Sequence, residues 1–415
     1  MKLTGNSLLI TASSLMLSNS WGFLGILPLS HGHFALASPK SDRPLASQNT
    51  GAEAQIAAGD QARLAGNYPL ALRQINLGLK ALENDKAAPD RLAAAYNYLA
   101  LLNNNMGQYA DSEKNARKAL SLANRAGLSK NILARHQVVL ANALRQQGKF
   151  SEAQNILKDV IATIKNSKSD KALFATATNN LGALYFWMGY YHQAIGILNR
   201  GLVLRLALAG GDKQNLDLAN SYLDLGCTEF KLNQLAKAKE HLTLALSILK
   251  KKLGDDHPET LNAMANLAAL LAASRAEGDS QKALDLLRHT VEAGSKKLDS
   301  HHPDLIHYQQ EYAETLTNQA SWLTMNGQQQ QAFDTIQQAI KLRETISKAL
   351  GRKDISYALA LANAAEILRR LEKPSQCLKM LTQANDVLDG LTAAEQQSVD
   401  GKSIRQALKR YKANH

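Results

Sequence analysis

The sequence predicts an all-α protein: a right-handed superhelical solenoid of about eight helix-turn-helix repeats with a C-terminal capping helix. Three observations predict it. Ala and Leu dominate a composition that is 45% hydrophobic but only 5% aromatic, and runs of strand-favouring residues are scarce. A segment combining a turn with an apolar helical stripe recurs along most of the chain. A glycine stands at the turn in most copies, where tight reversal of the backbone favours it.

The recurring segment first appears as "LAGNYPLALRQINLGLKAL" (64–82). It returns as "NMGQYADSEKNARKAL" (105–120), "QQGKFSEAQNILKDVI" (146–161), "WMGYYHQAIGILNRGL" (187–202) and "KLNQLAKAKEHLTLAL" (231–246). Later copies are "AEGDSQKALDLLRHTV" (276–291), "MNGQQQQAFDTIQQAI" (325–340) and "RLEKPSQCLKMLTQAN" (370–385). A second apolar segment lies upstream of each, as in "NYLALL" (97–102), "NNLGALY" (179–185), "LDLGCTEF" (223–230) and "ANLAALL" (265–271). Helix A therefore starts near 52, 93, 134, 175, 219, 261, 313 and 358. The first three intervals are 41 residues, most later ones 42 to 45, and one is 52. Residues 52–390 form the solenoid and 391–415 its cap.

Gly66, Gly107, Gly148, Gly189 and Gly327 mark the turn from helix A into helix B. Ala71, Ala153, Ala194, Ala238, Ala283 and Ala332 stand where the two helices come closest, as do Gly182 and Gly226 on the A side. No pair can bury its apolar face alone, so stability comes from stacking neighbours. Between repeats, "LGDDHPETLNAMANLAALL" (253–271) places His257 beside two aspartates, but "SHHPDL" (300–305) repeats the pattern at the next junction. Pro258 and Pro303 fit the first turn of the following helix, and Glu259 and Asp304 its positive end. These residues are punctuation between helices. Thr392-Ala-Ala-Glu395 is a capping-box signature, and Ile404, Leu408 and Tyr411 form the apolar stripe of a terminal helix.

This pattern resembles the tetratricopeptide repeat family, in the long-repeat variety found in kinesin light chains. The closest matches are residues 253–271 and "TATNNLGALYFWMGYYHQAIGILNRGL" (176–202). The resemblance covers about residues 52–390. It implies a protein-binding role but not which partner, because one fold hosts many functions.

In such a solenoid the A helices line a concave groove. The residue before the anchor Leu, or its equivalent, is Asn180, Asn266, Asn318 and Asn363 in four repeats. An amide both donates and accepts, so a ladder of them can hold an extended peptide backbone. In the kinesin-light-chain-like members such asparagines contact ligand backbone, and the resemblance implies the same here. Tyr98, Val139 and Asp224 interrupt the ladder. Phe186, Trp187 and Phe230 fall on the groove side near the end of helix A and are expected as aromatic anchors. Tyr185 and Tyr191 match internal positions of the family. Arg63, Arg145, Lys231, Arg369 and Arg370 share one end of their A helices, so an acidic peptide or a C-terminal carboxylate is a natural ligand.

Lys2 precedes a charge-free, mostly apolar run from Leu8 to Leu29, and Ala35-Leu36-Ala37 fits a small-x-small cleavage pattern. Residues 1–37 are expected to be a signal peptide, with an uncleaved membrane anchor as the alternative, and 38–51 a linker. The net charge of +12 comes from scattered Lys and Arg with no aromatic-interleaved basic tract, which argues against nucleic acid. Cys227 and Cys377 lie more than three repeats apart, beyond disulfide reach. No GxSxG, HExxH, Walker loop, GxGxxG or CxxC occurs, so no enzyme, cofactor, metal or small-molecule substrate is expected. The expectation is an exported, periplasmic or extracellular scaffold binding a protein or extended peptide. An intracellular cargo adaptor of the kinesin-light-chain kind is the alternative.

Overall fold

A computed structural model describes residues 51–165, 170–274 and 278–414. The expected signal segment, all but the last residue of the expected linker, and residues 275–277 within the one 52-residue repeat interval lie outside them. Sixteen helices of the described chain form eight consecutive pairs: α1 (Gly51–Leu64) with α2 (Tyr68–Asn84), α3 (Pro89–Asn105) with α4 (Tyr109–Arg125), α5 (Lys130–Gln146) with α6 (Phe150–Ile164), and α7 (Lys171–Trp187) with α8 (Tyr191–Ala209). They continue as α9 (Leu216–Lys231) with α10 (Leu235–Leu253), α11 (Pro258–Ser274) with α12 (Asp279–Lys297), α13 (Pro303–Met325) with α14 (Gln329–Leu350), and α15 (Ile355–Arg370) with α16 (Pro374–Asp389).

Two compact units divide the chain. One holds the described residues up to Leu270 together with Lys296–Leu298; the other holds Leu271–Ser295 and Asp299 onward.

The turn from helix A to helix B requires a left-handed residue. Gly148 takes φ +73° there, and where glycine is missing, Asn233 and Glu372 take φ 59° and 57°. A Cβ on Gly182 would lie 2.7 Å from Leu198 Cγ, and one on Gly226 2.7 Å from Leu242 Cγ. Both leucines are fully buried, so these glycines set the distance of each pair. Ala71, Ala153, Ala194 and Ala238 are fully enclosed at the matching contact.

The junction histidines are helix caps. His302 Nδ1 accepts from Asp304 N at 3.1 Å, and His257 Nδ1 accepts from Glu259 N at 3.2 Å. An accepting Nδ1 leaves the His257 proton on Nε2, which donates to Leu64 O at 3.1 Å across 193 residues. A Cβ on Gly66 would lie 2.7 Å from Pro258 Cδ. Within the first unit, then, the turn after α1 seats against the start of α11. Every residue of α11 from Thr260 to Leu270 is buried.

The C-terminal cap is two helices rather than one. Thr392 and Glu395 form the expected capping box at the head of a single turn, α17 (Ala393–Gln396), and α18 (Val399–Asn414) follows. Ile404 and Tyr411 are buried, as is Ala407, while Leu408 is half-buried; α18 packs on α15 and α16. Tyr411 Oη donates to Pro374 O at 3.0 Å.

Candidate peptide-binding face

In the first unit the A-helix face is a buried polar lattice. Asn179 Nδ2 donates to Asp224 one repeat away. Arg205 Nη1 donates to Ser221 Oγ and to Asp217 O, both at 2.8 Å. Arg63 is 4% exposed, pairs with Asp60 at 2.7 Å and donates to Asn105 Oδ1 at 3.2 Å. Arg145 is equally buried: its Nη2 donates to Asn142 Oδ1 at 2.5 Å, while Nε and Nη1 have no hydrogen-bond partner among the described residues. Burial pushes the Arg145 guanidinium down to about 10, against the pull of Asp224. The Glu259 carboxyl is pushed up to about 8 by burial, with Arg63 opposing, so at neutral pH it is largely uncharged rather than an anion at the helix start.

Several expected readers are placed differently from the sequence expectation. Phe186 is buried, its ring centroid 5.4 Å from that of Tyr191, and Phe230 is buried too. Neither is an exposed anchor; both fill the space between helices, while Tyr185 and Tyr191 are only half-buried. Asn266 is buried and donates Nδ2 to Asn262 Oδ1 at 2.6 Å and to Asn262 O at 3.0 Å, so it is tied within α11 instead of facing an open groove. Asn180 and Trp187 are half-buried on α7, and the buried atoms Asn180 Nδ2 and Trp187 Nε1 have no hydrogen-bond partner among the described residues. Lys231 is half-buried.

The second unit is more open. Asn318 is exposed on α13, and four residues on, one turn along the same face, Trp322 is 52% exposed. Met325 extends this stripe at 63% exposure. On α15, Asn363 is half-buried. Arg369 and Arg370 both bind the buried Glu366 carboxylate, at 2.8 and 2.9 Å, so the positive end of α15 carries its own counter-charge.

Two features escaped the sequence reading. Trp322 is the exposed aromatic that Phe186 and Phe230 were expected to supply, with the exposed Met325 thioether beside it; the i, i+4 spacing from Asn318 was the signal. The cations have partners three or four residues upstream on their own helices, as Asp60-x-x-Arg63, Asn142-x-x-Arg145 and Glu366-x-x-Arg369. Cys227 and Cys377 are buried free thiols. No helix among the described residues is long and apolar enough to cross a membrane.

A family model for the tetratricopeptide repeat matches residues 91–166, 173–251 and 217–296. The chain is 25% identical over 214 residues, 51% of its length, to Protein KINESIN LIGHT CHAIN-RELATED 3 of Arabidopsis thaliana. It is 24% identical over 218 residues, 52% of its length, to Protein KINESIN LIGHT CHAIN-RELATED 2 of the same plant. Each match spans 32% of the relative, so the chain covers about a third of the length of these curated proteins. Among solved structures, the apo form of the quorum sensor NprR from B. thuringiensis shares the fold with a TM-score of 0.50 at 15% identity, over 80% of this chain and 85% of that one. Consecutive A–B helix pairs, left-handed turns between them and these matches lead to one family. The chain is a tetratricopeptide-repeat protein of the long-repeat, kinesin-light-chain-like variety.

Proposed function

We propose that this protein is a non-enzymatic, exported scaffold that binds a protein or extended peptide on its A-helix face and recruits or assembles envelope proteins. The observation that carries the binding reading is the exposed stripe of Asn318, Trp322 and Met325 on α13. Trp supplies large contact area at low entropy cost, Met adapts to an irregular surface, and an amide beside them can hold a ligand backbone. Asn363 extends the amide row onto α15. An acidic segment or a C-terminal carboxylate suits the +12 net charge of the chain.

Export rests on Lys2, the apolar run Leu8–Leu29 and the Ala35-Leu36-Ala37 pattern. A crosslinking pull-down from the native host, with the recovered N-terminus sequenced, tests both halves of the reading. A mature start at Ser38 with envelope proteins attached is the expected result. Trp322→Ala with Asn318→Ala should then weaken the recovered partner at least about tenfold, with helicity and melting unchanged. Equal affinity in that double variant overturns the binding face. The 25% identity to kinesin light chain-related proteins favours a second reading, an intracellular cargo adaptor. An intact Met1 with cytosolic partners would select it.

A further inference from the structure

The B helices carry a second groove that the A-helix reading does not use. A cavity of about 460 Å³ lies between α14 and α16, over α15. Phe333, Ile340 and Met380 form its walls, Tyr357 and Leu361 lie at its base, and Lys341, Lys353 and Lys379 stand around it.

The repeat register shows why it stays open. Between α4 and α6 two ion pairs bridge neighbouring B helices: Arg117–Glu152 at 2.7 Å and Lys149–Glu113 at 2.6 Å. Counted from the turn, Gln337 stands where Arg117 does, and Gln376 where Glu152 does. Phe333 replaces Glu113, and Lys373, in the place of Lys149, lies 5.9 Å over the Phe333 ring instead. Among the described residues no ion pair spans α14 and α16. Both bridging pairs have given way to amides and an aromatic.

We propose that this groove docks a short amphipathic helix of an acidic partner protein, at a site separate from the A-helix face. From Phe333 to Glu344 the lining side chains recur along α14 over eleven residues, about 16 Å at 1.5 Å per residue, which accommodates two to three turns of a helix. Met380 and Phe333 offer an adaptable apolar bed for its stripe. The charge balance selects acidic flanks: three lysines ring the groove against Glu344 and Asp386, and Glu344 already accepts the Tyr357 hydroxyl at 3.2 Å.

The test is selection of a random 16-residue peptide library, displayed on phage, against the full chain. Enriched peptides are synthesised and their affinities measured. The expected peptides carry apolar residues at helical spacing flanked by Asp or Glu. They should lose at least tenfold in affinity for Lys341→Glu/Lys379→Glu, two exposed positions whose change leaves the fold intact, and bind Trp322→Ala normally. Gln337→Arg with Gln376→Glu, which rebuilds the bridge between the two helices, should weaken them as well. The proposal falls if no enriched peptide depends on the lysines, if the dependent peptides are basic, or if they lose affinity with Trp322→Ala and so belong to the other face.

Discussion

Asn266 and Asn318 hold the same position in adjacent repeats, 52 residues apart, yet one is sealed inside α11 and the other is open to solvent on α13. Their local sequences, "MANLAALL" and "LTNQASWL", put each amide on the same edge of its helix. The difference is what surrounds the edge. In the first unit the start of α11 is pinned by His257 to Leu64 and Thr260 to Leu270 are all buried; in the second, α13 presents Asn318, Trp322 and Met325 together. A repeat register therefore says which way a side chain points, while the winding of the array decides whether anything can reach it.

Acid should destabilise both regions, the first more than the second because it holds two of the three depressed histidines. Burial depresses His257 and His136 in the first unit, and His307 in the second, to about 4 from an ordinary 6.5. A depressed folded value means the unfolded chain binds the proton first. The stability these groups contribute is thus fully present above pH 6.5 and lost as pH falls towards 4. For His257 and His136 the loss is on the order of 3 kcal/mol each. Urea midpoints compared at pH 7 and pH 4.5 measure it. His257→Asn, which keeps a cap acceptor but cannot be protonated, should flatten the slope, and an unchanged slope would mean that His257 is not the titrating group.

Charge placed at the paired asparagines comes next. Asn266→Asp buries a carboxylate beside Asn262 and should cost about 3 kcal/mol, whereas Asn318→Asp should stay within about 0.5 kcal/mol. Equal effects in chemical denaturation would erase the contrast. The seam itself is probed by two glycines of nearly identical conformation. Gly66 and Gly148 have φ of 72° and 73°, so Ala at either pays about 1 kcal/mol for the left-handed backbone. Only at Gly66 does the new Cβ meet Pro258, adding roughly 1–2 kcal/mol; nothing lies within 4 Å at Gly148. The smallest effect is a gain. Glu372 occupies a left-handed turn position without need, and Glu372→Gly should raise stability by up to about 1 kcal/mol in a thermal melt.

Most of the fold was legible because its determinants are local and repeat. Turn glycines, the alanines at each helix crossing, the prolines opening α11 and α13, and the Thr392–Glu395 box all act within a few residues. The split of the cap into α17 and α18 was less visible, since the bend near Ser398 has no proline or positive-φ glycine to announce it; Ser398 Oγ accepts from Gly401 N at 3.1 Å instead. The face was legible in register but not in access. Phe186 and Phe230 were placed correctly at the ends of their A helices, but whether that end is covered depends on neighbouring helices. The contact between Leu64 and His257 accumulates from small rotations over five repeats, and no short stretch of sequence encodes it. The ion partners of Arg63 and Arg369 were local, at i−3, and could have been read.

Thiol accessibility at the paired asparagines tests this account most directly. Asn266→Cys and Asn318→Cys are labelled separately with a maleimide dye under native conditions, with the buried Cys227 and Cys377 as internal standards for protection. The thiol at 318 should react at the rate of an exposed cysteine, and the thiol at 266 at least a hundredfold more slowly, near the rate of the native pair. Similar fast rates at both positions would show that α11 is not enclosed, and would return Asn266 to an open binding face.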